Sequence, residues 1–184
     1  MAMYETLGFS VGIGHNTREN EHGAKSLTGP ILGATLKIGP GALHGMYAMI
    51  KDDNPSGLSG IAPSITSQVG AATASLVANA FVNGLRQDGR LSHMGYKLES
   101  GVNTVYVAYT KFDDRRPANA STASYGVAYT YALSKRTNIN AVLTRFDNSG
   151  LGQAAPGGAG YLGGVTASAG TDSTRIALGV CHRF

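Results

Sequence analysis

A repeated alternation of apolar with small or polar side chains constrains the fold of this 184-residue chain more than any other feature. At the end of the chain, apolar or aromatic residues occupy every second position: Ile176, Leu178, Val180, His182 and Phe184. The same period recurs in 7–14, 32–38, 94–98 and 125–133, and less distinctly in 42–51, 104–113 and 138–147. A period of two places successive side chains on opposite faces of a strand. The sequence therefore predicts an all-β protein of about eight antiparallel strands.

The connections between these strands alternate between short and long. The short connections are 39–41, 100–103 and 134–137, and the long ones are 15–28, 52–89, 114–122 and 148–172. A transmembrane barrel has short turns at one rim and long loops at the other. Tilted strands of about ten residues are long enough to cross a bilayer. The pattern therefore predicts a transmembrane antiparallel β-barrel.

The segment 52–89 is the least strand-like part of the chain. It begins with the loop-forming sequence DDNPSGLSG, and its later apolar residues have roughly helical spacing: Val69, Leu76, Val77, Ala80 and Phe81. We expect a long surface loop that contains a short helix, because one additional strand would break the up-and-down order of the barrel.

Two kinds of β protein fit the alternating pattern. In a soluble barrel or sandwich the apolar face fills a core, whereas in a membrane barrel it contacts lipid and the other face lines a polar lumen. Here the second face consists mainly of Gly, Ala, Ser and Thr, with four cations: Lys37, Lys97, Arg175 and Arg183. Tyrosines near the strand ends fit an aromatic girdle: Tyr4, Tyr109, Tyr125 and Tyr131. Together with the long Gly-rich segment 148–172, which is uncommon in compact soluble domains, they favour the membrane barrel.

The sequence contains no recognisable catalytic or metal-binding motif. The histidines are scattered, without the spacing of a metal site: His15, His22, His44, His93 and His182. Cys181 is the single cysteine, so no internal disulfide is possible, and the net charge of +4 is not concentrated in runs of Lys or Arg. We therefore predict no enzymatic activity, no metal, no cofactor and no nucleic-acid partner.

Two motifs carry a resemblance to a known family. The strand and turn Y-x-L-S-K-R-T occupies 131–137, and the chain ends in G-x-x-H-x-F, formed by Gly179, His182 and Phe184. In this order, with a Gly-rich loop between them, the motifs resemble those of the general porins of Gram-negative bacteria, in the branch found in Burkholderia and Neisseria relatives. The resemblance is strong over 90–184 and rests on strand style alone over 1–60.

The resemblance implies a sixteen-stranded barrel in the outer membrane, assembled as a homotrimer that passes small hydrophilic solutes and ions passively. It implies contacts with outer-membrane lipid, lipopolysaccharide and the barrel assembly machinery. The assembly signal would consist of Gly179, His182 and Phe184. The turn at 134–137 would be periplasmic, which places the long loops outside the cell and Phe184 at the periplasmic rim.

Family members are about twice as long as this chain, as sixteen crossings require. They also have a signal peptide and an acidic constriction loop, and neither is recognisable here. We therefore expect 1–184 to be the C-terminal part of a porin domain that contributes about eight strands to the barrel. The alternative is a small closed eight-stranded outer-membrane barrel with an adhesin or structural role. It would have to fill its interior with side chains, which a face of Gly, Ala and Thr does poorly.

In either barrel the last strand directs Ile176, Leu178, Val180 and Phe184 to lipid, and Arg175, Gly179, Cys181 and Arg183 to the lumen. The residues expected to contact permeating solutes are the lumen-facing cations Lys37, Lys97, Arg175 and Arg183, because a basic wall raises the local concentration of anions. Arg115 and Arg116 are expected in a solvated loop tip, with lipopolysaccharide phosphates as the alternative partner.

Overall fold

The computed structural model describes residues 1–157 and 164–184. Its elements are β1 (Ala2–Glu5), β2 (Phe9–Glu19), β3 (Lys25–Ile38), β4 (Gly41–Asp52), α1 (Ile61–Val69), α2 (Ala71–Leu85), β5 (Gln87–Ser100), β6 (Asn103–Asp114), β7 (Thr122–Ala132), β8 (Thr137–Asn148), β9 (Ala154–Ala155), β10 (Gly164–Val165) and β11 (Ser173–His182). Nine strands form one antiparallel sheet in the order β1-β2-β3-β4-β5-β6-β7-β8-β11, and β9 pairs with β10. The predicted all-β, up-and-down architecture is confirmed, with one short strand more than the eight expected.

The three predicted tight turns join strands at one end of the sheet. Gly39 and Gly101 have φ values of 57° and 58°, a region that glycine enters without the steric cost other residues have. In the third turn, Ser134 Oγ accepts hydrogen bonds from the backbone N–H groups of Arg136 (3.1 Å) and Thr137 (3.0 Å). The other end carries the long connections 53–86, 115–121 and 149–172. Part of the last, 158–163, lies outside the described residues.

The predicted long loop at 15–28 is wrong. β2 continues to Glu19 and β3 begins at Lys25, so only residues 20–24 form the turn. The side chain of Asn20 closes this turn by accepting hydrogen bonds from the backbone N–H groups of His22 (3.0 Å) and Ala24 (2.9 Å). These strand ends lack apolar alternation, because a hairpin that extends beyond the apolar band is held by its backbone hydrogen bonds and needs no apolar face.

The segment between β4 and β5 holds two helices where one short helix was predicted. Gly70 separates α1 from α2, because its φ value of 79° is outside the helical region. The two helices together are here called the helical hairpin. The helices pack mainly against each other, and Ala74 of α2 is fully buried. In the part of the chain that the structure describes, no helix has the length and apolar character needed to cross a membrane.

The sheet does not enclose an apolar core. Within 1–157 and 164–184, Ala74 is the single buried apolar residue, and no large side chain is fully buried. A soluble domain of this size would bury many such side chains. The soluble alternative is therefore wrong, and the apolar side chains of the strands must be covered by something other than this chain.

The sheet is open in the described residues, with β1 and β11 at its edges. β11 pairs with β8 along its whole length, from Ser173 opposite Phe146 to His182 opposite Thr137. Among the described strands it has no second partner. The chain therefore does not form the closed eight-stranded barrel that was the alternative.

Candidate functional site

The register of the sheet collects apolar side chains on one face, here called the outer face. A continuous row of opposed residues crosses it: Phe9, Leu36, Leu43, Tyr96, Val107, Val127, Leu143 and Ile176. On β11, Ile176, Leu178 and Val180 are exposed by 73%, 79% and 71%. Such exposure of a contiguous apolar surface is costly in water, so this face is suited to contact with hydrocarbon.

Tyrosines and charged pairs bound the apolar surface of the outer face. All four predicted girdle residues lie on this face: Tyr4, Tyr109, Tyr125 and Tyr131. The rings of Tyr109 and Tyr125 pack across strands with centroids 5.0 Å apart. Towards the long loops the face becomes charged, with Arg90 opposite Asp113. This order of apolar side chains, aromatic rings and then charges is that of a surface crossing from hydrocarbon to water.

The opposite face, here called the inner face, carries mainly small and polar side chains and three of the predicted cations, together with larger apolar residues such as Met46, Leu91 and Phe112. Lys37 on β3 and Lys97 on β5 both lie opposite Ala42 of β4, and Lys97 Nζ lies 2.6 Å from Glu99 Oε1. Arg175 is distant from them on β11, opposite Thr144. The structure therefore places these cations on the predicted face, with Lys37 and Lys97 on either side of β4 and Arg175 apart from both.

The fourth predicted cation lies beyond the last strand. Arg183 follows β11, and its backbone N–H donates to the carbonyl oxygen of Arg136 at 2.9 Å. This bond holds the end of the chain against the tight turn of residues 134–137. Arg183 is therefore at the tight-turn rim rather than along the wall of the inner face.

Hydrogen bonds between side chains cover much of the inner face. Thr130 Oγ1 donates to Asn140 Oδ1 at 2.7 Å, and Asn140 Nδ2 donates to Asn138 Oδ1 at 2.8 Å. The inner face is more covered by its neighbours than the outer face on the central strands, as on the concave side of a curved sheet. A hydrogen-bonded polar surface of this kind can border water without apolar exposure.

Sequence reasoning missed His44 and His93, which are also on the inner face. The histidines have no motif spacing along the chain. His44 and His93 come close together only because β4 and β5 pair in this register. One signal was available in the sequence: His93 falls between the alternating apolar positions Met94, Tyr96 and Leu98 of its strand, which predicts the face opposite to theirs.

The three residues of the predicted assembly signal lie towards the tight-turn end of the sheet. His182 is on the outer face as expected, and its Nδ1 is 2.9 Å from Thr137 Oγ1. The ring of Phe184 meets the His182 ring edge-on, with centroids 4.9 Å apart. Gly179 is on the inner face, opposite Asn140. The role of these residues in assembly stays a prediction.

Two carboxylates, buried Asp52 and exposed Glu21, stabilise the rim that carries the long loops. Asp52 is buried, and both its carboxylate oxygens accept from Ser26 Oγ at 3.1 Å. Glu21 accepts hydrogen bonds from the backbone N–H groups of Gly57 (2.8 Å) and Ser59 (3.2 Å). The Gly57 bond is the main reason that the pKa of Glu21 is lowered to about 2. These bonds tie the turn of residues 20–24 to the loop that leads into α1.

Arg115 and Arg116 differ in their surroundings at the same rim. Arg115 is exposed, whereas the guanidinium of Arg116 forms two hydrogen bonds with the carboxylate of Asp114, and Asp114 raises the pKa of Arg116. The guanidinium of Arg116 therefore makes these hydrogen bonds within the protein and not with an outside partner. Among the described residues no three His, Cys, Asp or Glu side chains come together in a way that could hold a metal ion.

Comparisons with known proteins agree with this geometry. A family model described as Gram-negative porin matches residues 1–151. The match includes the region 1–60, where the resemblance rested on strand style, and ends before the terminal motif. No curated protein matches the sequence.

The fold is similar to that of OmpTdeltaL8, a loop L8 deletion mutant of OmpT, an outer membrane protein of Vibrio cholerae. The TM-score is 0.60 at 17% sequence identity, and the alignment covers 99% of this chain and 51% of that one. The chain therefore spans about half the length of the solved structure that it matches. Its open sheet corresponds to half of a porin barrel.

Proposed function

Since the chain belongs to the Gram-negative porin family, a family of outer-membrane proteins without enzymatic activity, we propose that it forms part of the wall of a passive channel. The channel would pass small hydrophilic solutes and ions. The observation that carries this proposal is the opposition of the two faces. One face exposes Ile176, Leu178 and Val180 by 71–79%, and the other carries hydroxyl, amide and cationic groups among its side chains, so the sheet is suited to separate lipid from water.

A channel wall requires that the sheet be closed. In lipid, each unsatisfied backbone group at an open edge costs several kcal/mol. The nine strands alternate in direction, so the edge strands β1 and β11 run the same way and cannot pair with each other in an antiparallel barrel. Barrels of this class have an even number of strands, so closure requires an odd number of additional strands. This parity supports the proposal that 1–184 is part of a larger porin domain, and the motif of Gly179, His182 and Phe184 supports its being the C-terminal part.

The family resemblance also supports a homotrimer whose subunits contact one another through part of the outer face. Lipopolysaccharide and outer-membrane lipid would cover the rest. The mass of the protein extracted from outer membranes in mild detergent tests this assembly. A trimer that withstands detergent at room temperature and separates on heating supports it, and a monomer under both conditions contradicts it.

We propose that the inner-face cations Lys37, Lys97 and Arg175, with Arg183 at the rim, bias the channel towards anions. Each positive side chain attracts anions into a narrow polar passage. Lys97 contributes less than the others, because Glu99 lies beside it. Charge reversal of the four residues should therefore lower the anion-to-cation permeability ratio by at least about threefold.

Planar-bilayer recording of the complete porin that contains this chain, extracted from outer membranes, tests the proposal. We expect stable ohmic conductance from the unsubstituted protein, here called the parent. When Lys37 and Arg175 are changed to Glu, the reversal potential should shift towards cation selectivity. The matched control is Arg90→Glu with Lys111→Glu, which reverses the same number of charges on the outer face. No conductance under any condition would refute the channel. An equal shift in the control would refute the assignment of the faces.

The terminal motif offers a separate test of assembly. If Phe184 is part of a signal read by the assembly machinery, Phe184→Ala should reduce the folded, heat-modifiable protein in the outer membrane. Cys181→Ser should leave that amount unchanged, since Cys181 occupies one of the unspecified positions of the motif G-x-x-H-x-F. Equal amounts of folded protein from both variants would contradict a role for Phe184.

A further inference from the structure

Two histidines of the inner face lie diagonally across neighbouring strands, on rungs that are separated by one outer-face pair. His44 of β4 is opposite Gly95 of β5, and His93 of β5 is opposite Met46 of β4. Both side chains are half-buried, and both line one groove on this face, whose lining also includes the apolar residues Met3, Ile31 and Met46. The sheet thus presents two imidazoles side by side to the space that the inner face borders.

Tyr106 of β6 joins the two imidazoles into one cluster. Its phenol lies over Gly95, where an added Cβ would be 2.5 Å from the phenol oxygen. From this position the hydroxyl is 3.3 Å from Nε2 of His93. The Tyr106 ring is also 6.4 Å from the ring of His44, centroid to centroid. The absence of a side chain at Gly95 is therefore what lets the phenol reach both histidines.

The hydroxyl groups around the cluster are compatible with both protonation states of the imidazoles. Thr110 Oγ1 lies 2.7 Å from His93 Nδ1, and Thr35 Oγ1 lies 3.1 Å from His44 Nδ1. A hydroxyl can donate to an unprotonated ring nitrogen or accept from a protonated one. Each histidine can therefore take up a proton without losing these bonds. Imidazole is the side-chain group that changes charge between about pH 5 and 8.

Few other charges face the cluster from the strands beside it. The charged and titratable groups on the inner face of β3, β5 and β6 near the cluster are Lys37, Lys97, Glu99 and Tyr106. Glu99 offsets the charge of Lys97 at 2.6 Å. Protonation of both histidines would therefore add two positive charges to that of Lys37 on one patch of the wall.

We infer that His44, His93 and Tyr106 form a binding site for small inorganic anions, such as chloride or phosphate, that strengthens as the pH falls. The inference rests on the proposed function, because it requires that the inner face border the solute path. The Nε2–H group of a protonated His44 and the hydroxyl of Tyr106 can supply a charge-assisted and a neutral hydrogen bond to an anion, whereas His93, whose ring nitrogens bond to Thr110 and Tyr106, contributes charge. The same charges would make the anion preference of the channel depend on pH.

Reversal potentials in a KCl gradient test the consequence for selectivity. We expect the chloride-to-potassium permeability ratio of the parent to rise at least about twofold between pH 8 and pH 5. The double variant His44→Gln with His93→Gln should lose most of this rise. The matched control, His15→Gln with His22→Gln, removes two exposed histidines outside the inner face and should retain it. A rise that persists in the first variant, or is lost in the control, overturns the inference.

A second measurement does not need a conducting channel. In the protein refolded in detergent, inorganic phosphate added at pH 5 should shift the imidazole ring resonances of His44 and His93. The same addition at pH 8 should have little effect, and His15 should not respond at either pH. If the rings respond but no channel conducts, the porin proposal fails and the anion site stands. If the rings do not respond at pH 5, the anion site is refuted whatever the conductance.

Discussion

Asp114 is the residue whose replacement tests the structure of the long-loop rim most directly. Its side chain is 1% exposed, and its carboxylate accepts four hydrogen bonds. Two come from the Arg116 guanidinium (both 2.9 Å) and two from the backbone N–H groups of Arg116 (3.0 Å) and Ala120 (2.9 Å). Arg116 in turn donates to the carbonyl oxygen of Arg86 at 3.1 Å. One carboxylate therefore connects the loop of residues 115–121 to the end of the helical hairpin.

The magnitude follows from these bonds. The half-buried ion pair contributes roughly 1.5–3 kcal/mol as a charge-assisted interaction, and each backbone amide roughly 1 kcal/mol. Because these contributions overlap, Asp114→Ala should reduce the free energy of loop opening by about 3 kcal/mol. At 1.4 kcal/mol per tenfold change, the open population then rises about a hundredfold. Asp113→Ala, on the exposed outer face one residue earlier, should change it by less than about 0.5 kcal/mol.

Hydrogen exchange at amides that Asp114 does not itself contact measures the opening. The amides of Asn119 and Ser149 bond to the carbonyl oxygens of Arg116 and Ser121, and both acceptors survive the substitution. In Asp114→Ala their exchange should accelerate by about two orders of magnitude if the loop opens as a unit. Acceleration below about threefold, or equal acceleration in Asp113→Ala, would refute the reasoning.

Three further predictions follow from single features of the structure. Gly41→Ala places a Cβ against the carbonyl oxygen of Lys97, so the free energy of unfolding measured with urea in detergent should fall by about 1–3 kcal/mol. The control Gly126→Ala has open space around its Cβ and should lower that free energy by less than about 1 kcal/mol. Because the pKa of Glu21 is lowered to about 2, its contact stabilises the fold above the ordinary carboxyl pKa and is lost as the pH falls through about 2. The amide resonances of its partners should therefore keep their bonded shifts at pH 4. Asn138→Cys lies opposite Cys181 and should form a disulfide on oxidation, seen as loss of maleimide labelling; a reactive thiol would contradict the register of β11.

The strands were predictable where their two faces meet different surroundings. On β11 the alternation of Ile176, Leu178 and Val180 with Arg175 and Gly179 fixes both the strand and its orientation, because a sheet between lipid and water requires unlike faces. The same reasoning fails for the ends of β2 and β3 that adjoin the turn of residues 20–24. Both faces there are polar, so backbone pairing alone maintains the strand and leaves no period in the sequence.

The helical hairpin shows a second kind of limit. Apolar spacing around Leu76 and Phe81 indicated a helix, but α1 was missed. Its apolar residues, Ile61, Ile65 and Val69, follow a loop-like sequence, and Pro63 lies among them. Proline is tolerated in the first turn of a helix, which is where Pro63 lies. The sequence signal for a loop and that for a helix start therefore coincide.

The candidate site was predictable in its face but not in its contacts. The inner-face positions of Lys37, Lys97 and Arg175 follow from parity along each strand. Their separation, and the meeting of His44 with His93, depend on the register between strands. The tight turns at Gly39 and Gly101 constrain the registers of β3 with β4 and of β5 with β6, but β4 and β5 are joined by the long connection 53–86. Their register therefore depends on cross-strand pairing, which is not visible when each strand is considered alone.

The same alternation that makes the strands recognisable also makes the register decisive for function. A slip of one residue between β8 and β11 would turn Arg175 towards hydrocarbon and Ile176 towards the lumen. An arginine on the lipid face costs about 2–4 kcal/mol at the bilayer midplane and less near the interfaces. The slip would also remove the lipid contacts of Ile176, Leu178 and Val180 together. In the proposed channel wall, the same free energy therefore selects the register of β11 and keeps apolar side chains on the outer face and Arg175 on the inner face. A substitution that reduces the preference for this register should also weaken the separation of the two faces.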